Sequence, residues 1–189
     1  MESNTIHKQT IAQQPNFIGL PQAKEHLKIR FDYEDDLIQT LITAAIQATE
    51  DYTGLQIFQS TIELGFTVFP IDIKLNYGPV LGDSVSIKYD NISKVETEFV
   101  ADYKVLKRPN LRPNLIFSSE NGFPETDISS TAVRVSYVAG MNLEDLPKPL
   151  VIAILLQIAD LYLYRTDRSE ITNTRAMALM RPYRIWDYE

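Results

Sequence analysis

The sequence contains no cysteine. This excludes disulfides, thiolate metal sites and cysteine nucleophiles together, and suits a protein assembled in a reducing cytoplasm. Histidine occurs only at positions 7 and 26, and neither His7 nor His26 has a second histidine or a carboxylate at metal-ligand spacing. The seven glycines are scattered at turns, so no phosphate-cradling loop or dinucleotide fingerprint is spelled out. A Gly-x-Ser-x-Gly elbow is missing too. Positive charge is in short supply: 18 basic residues face 25 acidic ones, for a net charge of −7. Such a balance disfavours a protein whose main task is gripping a phosphate backbone. The most apolar run, Leu150 to Tyr164, is shorter than the roughly 20 residues a bilayer requires, and Gln157 and Asp160 interrupt it. Met1 to Asn16 is polar and lacks the apolar core of a signal peptide. A soluble chain with no membrane partner is the expectation.

What is present suits a folded protein. Of 189 residues 44% are hydrophobic, enough to bury a real core in one domain. Residues 1–18, rich in Ser, Asn, Thr and Gln, are expected to form a flexible N-terminal arm. A single domain over 19–166 should follow, and then a C-terminal tail over 167–189. A short helix is predicted at about 21–28, with Pro21 in its first turn, where the missing N–H costs nothing. A long helix is predicted over 33–53, with Asp32 as N-cap and Glu34, Asp35 and Asp36 on the positive end of its dipole. Leu37, Ile38, Leu41, Ile42, Ala45, Ile46, Ala48 and Tyr52 form its apolar face, and Gly54 is its stop.

Between 58 and 140 the period changes to two. Ile62, Leu64, Phe66 and Val68 alternate with polar residues, as do Ile71, Ile73 and Leu75, then Val85, Ile87 and Tyr89. Tyr103–Leu106, Leu115–Phe117 and Val133–Val138 are further strand candidates. A second long helix is predicted over 148–165, apolar round most of its circumference and therefore buried on more than one face. The fold class is thus α+β: a mainly helical core of one short and two long helices, with a small antiparallel β region inserted between the long ones.

Chemistry is sparse. Glu34, Asp35 and Asp36 resemble a magnesium site only in composition, since carboxylates in a first helical turn stabilise it without metal. No catalytic residue, metal or cofactor is therefore expected, and the chain is not predicted to be an enzyme. Two basic clusters stand out. Lys104, Lys107, Arg108 and Arg112 surround a proline-containing loop, which is either an ordinary solvated turn or a contact for DNA or a partner. Arg181, Tyr183, Arg184 and Trp186 combine arginine with aromatic residues, the usual anchors of protein interfaces. Leu156, Leu163 and Tyr164 lie off the main stripe of the last long helix and are candidates for a subunit interface.

Several stretches together resemble the phage head–tail connector family. They begin with Leu20-Pro21-Gln22-Ala23-Lys24-Glu25-His26-Leu27 and a helix opening at Asp35-Asp36 and closing at Tyr52-Thr53-Gly54. Gly78-Pro79-Val80, Val85-Ser86-Ile87-Lys88-Tyr89, Val133 to Gly140, the helix from Pro147 and a closing Pro182-Tyr183-Arg184-Ile185-Trp186 follow in order. The first 18 residues and Leu143–Leu146 depart from the pattern.

The resemblance implies a structural adaptor that forms a homo-oligomeric ring, typically of about a dozen subunits. The ring sits under the portal at the head–tail junction of the virion after assembly in the host bacterial cytoplasm, and extends the channel for packaged double-stranded DNA. Its partners are other copies of itself, the portal protein and the next head–tail joining or tail-completion protein. In related adaptors the C-terminal segment reaches into the portal, which points to Arg181, Tyr183, Arg184 and Trp186. A DNA-binding packaging accessory, or another head-completion or tail-terminator subunit, is the alternative. Physics agrees on one point: a channel wall should not hold DNA tightly, and an acidic chain satisfies that.

Overall fold

The computed structural model describes residues 4–10, 17–75, 77–100, 102–106, 112–118, 122–164 and 174–185. Among them are eight strands, β1 (Asn4–Thr10), β2 (Ser60–Phe66), β3 (Asp72–Lys74), β4 (Ser86–Asp90), β5 (Glu96–Glu98), β6 (Asp102–Leu106), β7 (Asn114–Ser118) and β8 (Val133–Ala139). The α-helices are α1 (Leu20–Leu27), α2 (Asp35–Thr53), α3 (Lys148–Leu163) and α4 (Thr174–Met180). The class is α+β, but not mainly helical, because strands and helices occupy comparable shares. The chain divides into a sheet unit (1–14, 58–141 and 187–189) and a helical unit (15–57 and 142–186). Period-two segments can bury their side chains against one another, so the β region makes a core of its own.

In the sheet unit, an antiparallel sheet ordered β1-β2-β8-β4-β5 accompanies a three-stranded sheet ordered β3-β7-β6. The β8 side chains alternate strictly between buried and half-buried. Their register sets Ile62 beside Tyr137, Leu64 beside Val135 and Phe66 beside Val133. Ile87 of β4 flanks Val135 on the other side in the same sheet, and Ile73 and Leu115 contribute from the smaller sheet. Gly140, with φ +144°, passes so close to Gln59 that a Cβ there would lie 2.6 Å from the Gln59 Cα. Only glycine fits. On one face of the larger sheet Arg134 donates to both oxygens of Asp90, each at 2.8 Å, and to Glu96 at 2.8 Å. Lys88 also donates to Glu96, at 2.8 Å.

The N-terminal arm requires correction. Residues Asn4–Thr10 form β1, which pairs antiparallel with β2 from Asn4↔Gly65 to Thr10↔Ser60. Strand addition of this kind is made by main-chain hydrogen bonds, and so needs no apolar alternation in the added segment. β5 is likewise invisible as a period-two pattern, because it is a three-residue Glu-Thr-Glu edge.

In the helical unit, α3 packs between α2 and α4 and also touches α1. Ile38, Ile42, Ala45 and Ile46 of α2 and Leu150, Ala153, Ile154 and Ile158 of α3 form the core. Gln157 crosses it, donating to the Thr49 hydroxyl and to the Met180 sulfur, each at 3.3 Å. The Tyr162 hydroxyl donates to Glu34. Asp32 is not the N-cap of α2; that position is Glu34. Asp32 and Asp35 instead both accept from the Lys24 ammonium, at 2.6 and 2.7 Å, and so tie α1 to the start of α2. Asp32 lies two residues before the N-cap, where its exposed carboxylate meets the half-buried Lys24 instead of the first helical turn. The tail over 167–189 is not a mere tail either, because α4 buries Ala176 and Met180.

Candidate interaction surfaces

The C-terminal cluster is built on α2. Gly54 ends that helix in the left-handed conformation, φ 74°, and its N–H donates to the Glu50 carbonyl at 2.8 Å. The last carbonyls of a helix have no partner within it. That of Thr53 accepts from the Ile185 N–H at 2.7 Å, and the Ile185 Cβ sits 3.4 Å from where a Gly54 Cβ would be. One residue earlier, the Arg184 guanidinium lies 5.5 Å from the centre of the Tyr52 ring, a cation–π arrangement. Tyr52-Thr53-Gly54 and Tyr183-Arg184-Ile185, 131 residues apart in the chain (183 − 52), are thus one constellation. Arg181 is exposed and Tyr183 half-buried beside it, in a short 3₁₀ turn (Arg181–Tyr183) after α4. Trp186 lies outside the described residues.

The basic loop is described only at its ends. Lys104 is exposed on β6 and Arg112 is half-buried just before β7, while Lys107 and Arg108 lie outside the described residues. Lys104 is in the middle of β6, and Arg112 lies two residues before β7 begins. Buried Tyr137, whose phenol is pushed up by desolvation, feels the Arg112 charge.

On α3 two of the interface candidates, Leu156 and Leu163, fall on one stripe. Residues 152, 156, 159 and 163 follow i, i+4, i+7, i+11 spacing and share a helix face opposite the core. Ile152 and Leu163 are exposed there, Leu163 at 68%, with Leu156 and Ala159 half-buried between them. Tyr164, half exposed, lies off the stripe past the helix end. Ile152 extends that stripe at the same helical spacing.

Two more surfaces were not anticipated. Phe31 and Tyr33 stack at 4.2 Å in the exposed loop between α1 and α2. In the sheet unit, an apolar groove of about 550 Å³ is lined by Val68, Phe69, Ile92 and the segment from Phe123 to Ile128. Among the described residues no group of three or more His, Cys, Asp or Glu side chains is arranged to hold a metal, and no helix is long and apolar enough to cross a membrane.

These features define a protein whose distinctive chemistry lies on outward-facing surfaces. Residues 17–100 match the model of the phage gp6-like head–tail connector protein family. No curated protein sequence matches it. The fold is that of a chain in the neck of an empty gene transfer agent (GTA) particle, computed with C6 symmetry: TM-score 0.77, 19% identity, covering 97% of this chain and 98% of that one. A chain from the virion of the native GTA particle matches at TM-score 0.76 and 21% identity, covering 97% and 98%. Another from the native neck computed with C12 symmetry matches at 0.70 and 20%, covering 100% and 98%.

Proposed function

We propose that this chain is a structural head–tail connector subunit of a tailed phage or phage-like particle. It assembles as a homo-oligomeric ring of about a dozen copies under the portal and extends the DNA channel towards the tail. One observation carries the reading: the fold matches a particle-neck chain over nearly the whole length of both chains, and the family segment is that of a head–tail connector. The C6 and C12 symmetries of those necks support a ring.

Residue roles follow. Arg181, Tyr183, Arg184 and Trp186 form the portal-docking end, with Arg184 and Ile185 holding that end against α2. The α3 stripe with Leu156, Leu163 and Tyr164 contributes to contacts between copies. The loop carrying Lys104, Lys107, Arg108 and Arg112 meets a partner or passing DNA. The ring belongs at the head–tail junction of the virion, forms in the host bacterial cytoplasm, and offers its far side to the next tail-joining protein.

Mixing the purified chain with portal rings of its own particle and sedimenting the mixture tests the reading. Co-sedimentation in a fixed ratio is expected; a chain left wholly in the supernatant counts against it.

A further inference from the structure

A ring whose subunits meet head to tail requires each copy to carry two different surfaces that fit one another. Resting on the connector reading, we infer that two such surfaces lie on the sheet unit: the Phe123–Ile128 groove of one copy receives the outer face of the β3-β7-β6 sheet of the next.

The groove is apolar at its base and acidic at its rim. Phe69 and Phe123 stack at 5.1 Å, and Phe99 packs 4.7 Å from Phe69. Ile92 (65% exposed) and Ile128 (97% exposed) stand out from its edges. Glu125 and Asp127 are the only charged residues of its lining; Lys94 belongs to the adjoining Asn91–Val95 turn, outside it. Two isoleucines this bare beside an open aromatic floor are expensive in water, and such a patch marks a binding surface.

The outer face of the three-stranded sheet has the opposite design. Its register sets Asp72, Ile116 and Lys104 in one row and Lys74, Asn114 and Leu106 in the next. Ile73 and Leu115, between them along the strands, are buried, so both rows point away from the core. Ile116 and Leu106 are half-buried and flanked by the exposed ammonium groups of Lys74 and Lys104. Asp72 is engaged by the Asn114 amide at 3.0 Å. An apolar centre between two lysines thus faces an apolar groove between two carboxylates.

One copy does not satisfy itself this way. The groove lies where β4 ends, at the Asn91–Thr126 bridge, whereas the Tyr103 hydroxyl on β6 reaches the Val85 carbonyl before β4 begins. Six residue steps along extended chain, from Val85 to Asn91, separate those points by about 20 Å. The groove's complement is therefore a second copy, with the lysines steering the approach and the isoleucines supplying the burial.

Charge reversal tests the pairing. One variant carries Glu125→Lys and Asp127→Lys; the other carries Lys74→Glu and Lys104→Glu. Mass is read by light scattering, with and without portal rings, and circular dichroism confirms that each variant is folded. Each variant alone is expected to lose the ring mass shown by the unsubstituted chain. An equimolar mixture is expected to regain it, because every groove then meets a face of opposite charge. If each variant assembles alone as well as the unsubstituted chain, or if the mixture fails to recover, this contact is wrong while the ring stands. If the unsubstituted chain never assembles, with or without portal, the connector reading fails and takes the contact with it.

Discussion

The backbone N–H of Ile185 donates to the carbonyl of Thr53 at 2.7 Å, so the end of the chain completes a helix that began 150 residues earlier. Removing that donor by Ile185→Pro should lower the stability of the helical unit by about 1–3 kcal/mol, since an orphaned carbonyl at a packed helix end bears most of its desolvation cost. Arg184, with φ −66° and ψ 130°, already has the conformation that precedes proline. The loss therefore isolates the hydrogen bond and the Ile185 side chain. A denaturant midpoint equal to that of the unsubstituted chain would show that the contact is incidental.

Arg181 is exposed beside this lock rather than part of it. Arg181→Ala should leave the melting temperature within about 2 °C, as surface changes of this kind usually do, and weaken portal binding severalfold in a pull-down. Trp186→Ala is expected to weaken it as well. Undiminished binding by both variants would remove the docking role from this segment.

In the sheet unit, Gly140→Ala should cost about 2 kcal/mol or more, because its Cβ meets backbone as well as an unfavourable φ. Gly82, with φ +47°, has open space around it, so Gly82→Ala should cost only about 1 kcal/mol of backbone strain. Equal thermal shifts for the two would mean that the approach to Gln59 is not tight.

The pH dependence has a definite sign. Arg134 holds the Asp90 carboxyl below its ordinary value, and Lys88 and then Arg134 do the same for Glu96. Groups with depressed folded pKa values stabilise above their unfolded values, and the gain is lost as pH falls through the folded ones. Thermal stability should therefore decline on acidification below about pH 4.5, less steeply in Asp90→Asn. Lys24 is raised, by Asp32 first and Asp35 next. Its contribution is fully present below its ordinary value and disappears as strongly alkaline pH exceeds the raised one. An acid limb of unchanged slope in Asp90→Asn would assign the loss to other carboxylates.

Leu163→Asp tests the α3 stripe. Because Leu163 is 68% exposed, the substitution should change stability by no more than about 0.5 kcal/mol while reducing self-association. Unaltered assembly would return the stripe to ordinary surface.

Much of this was legible in the sequence, for physical reasons that can be named. Helical spacing in α2 and strict alternation in β8 locate the core, because each element buries one face; α3, apolar round most of its circumference and expected to be buried on more than one face, leaves Ile152, Leu161 and Leu163 exposed. Gly54 was readable as a stop because few other residues adopt its φ. Asp32 is a good capping residue by type, but the helix starts three residues further on, and residue type alone does not set that start. β1 is not legible because its pairing is carried by backbone, and α4 because Ala176 to Met180 is too short a run to show a period. The groove was illegible altogether. Its lining joins Phe69, Ile92 and Phe123 from three separate loops, and only folding sets them side by side.

The mass of the assembled protein tests the central claim most directly, by light scattering with negative-stain images of the same sample, alone and with portal rings. The account predicts closed rings of about a dozen copies. A single-chain mass under both conditions, with bare portal rings in the images, would contradict it.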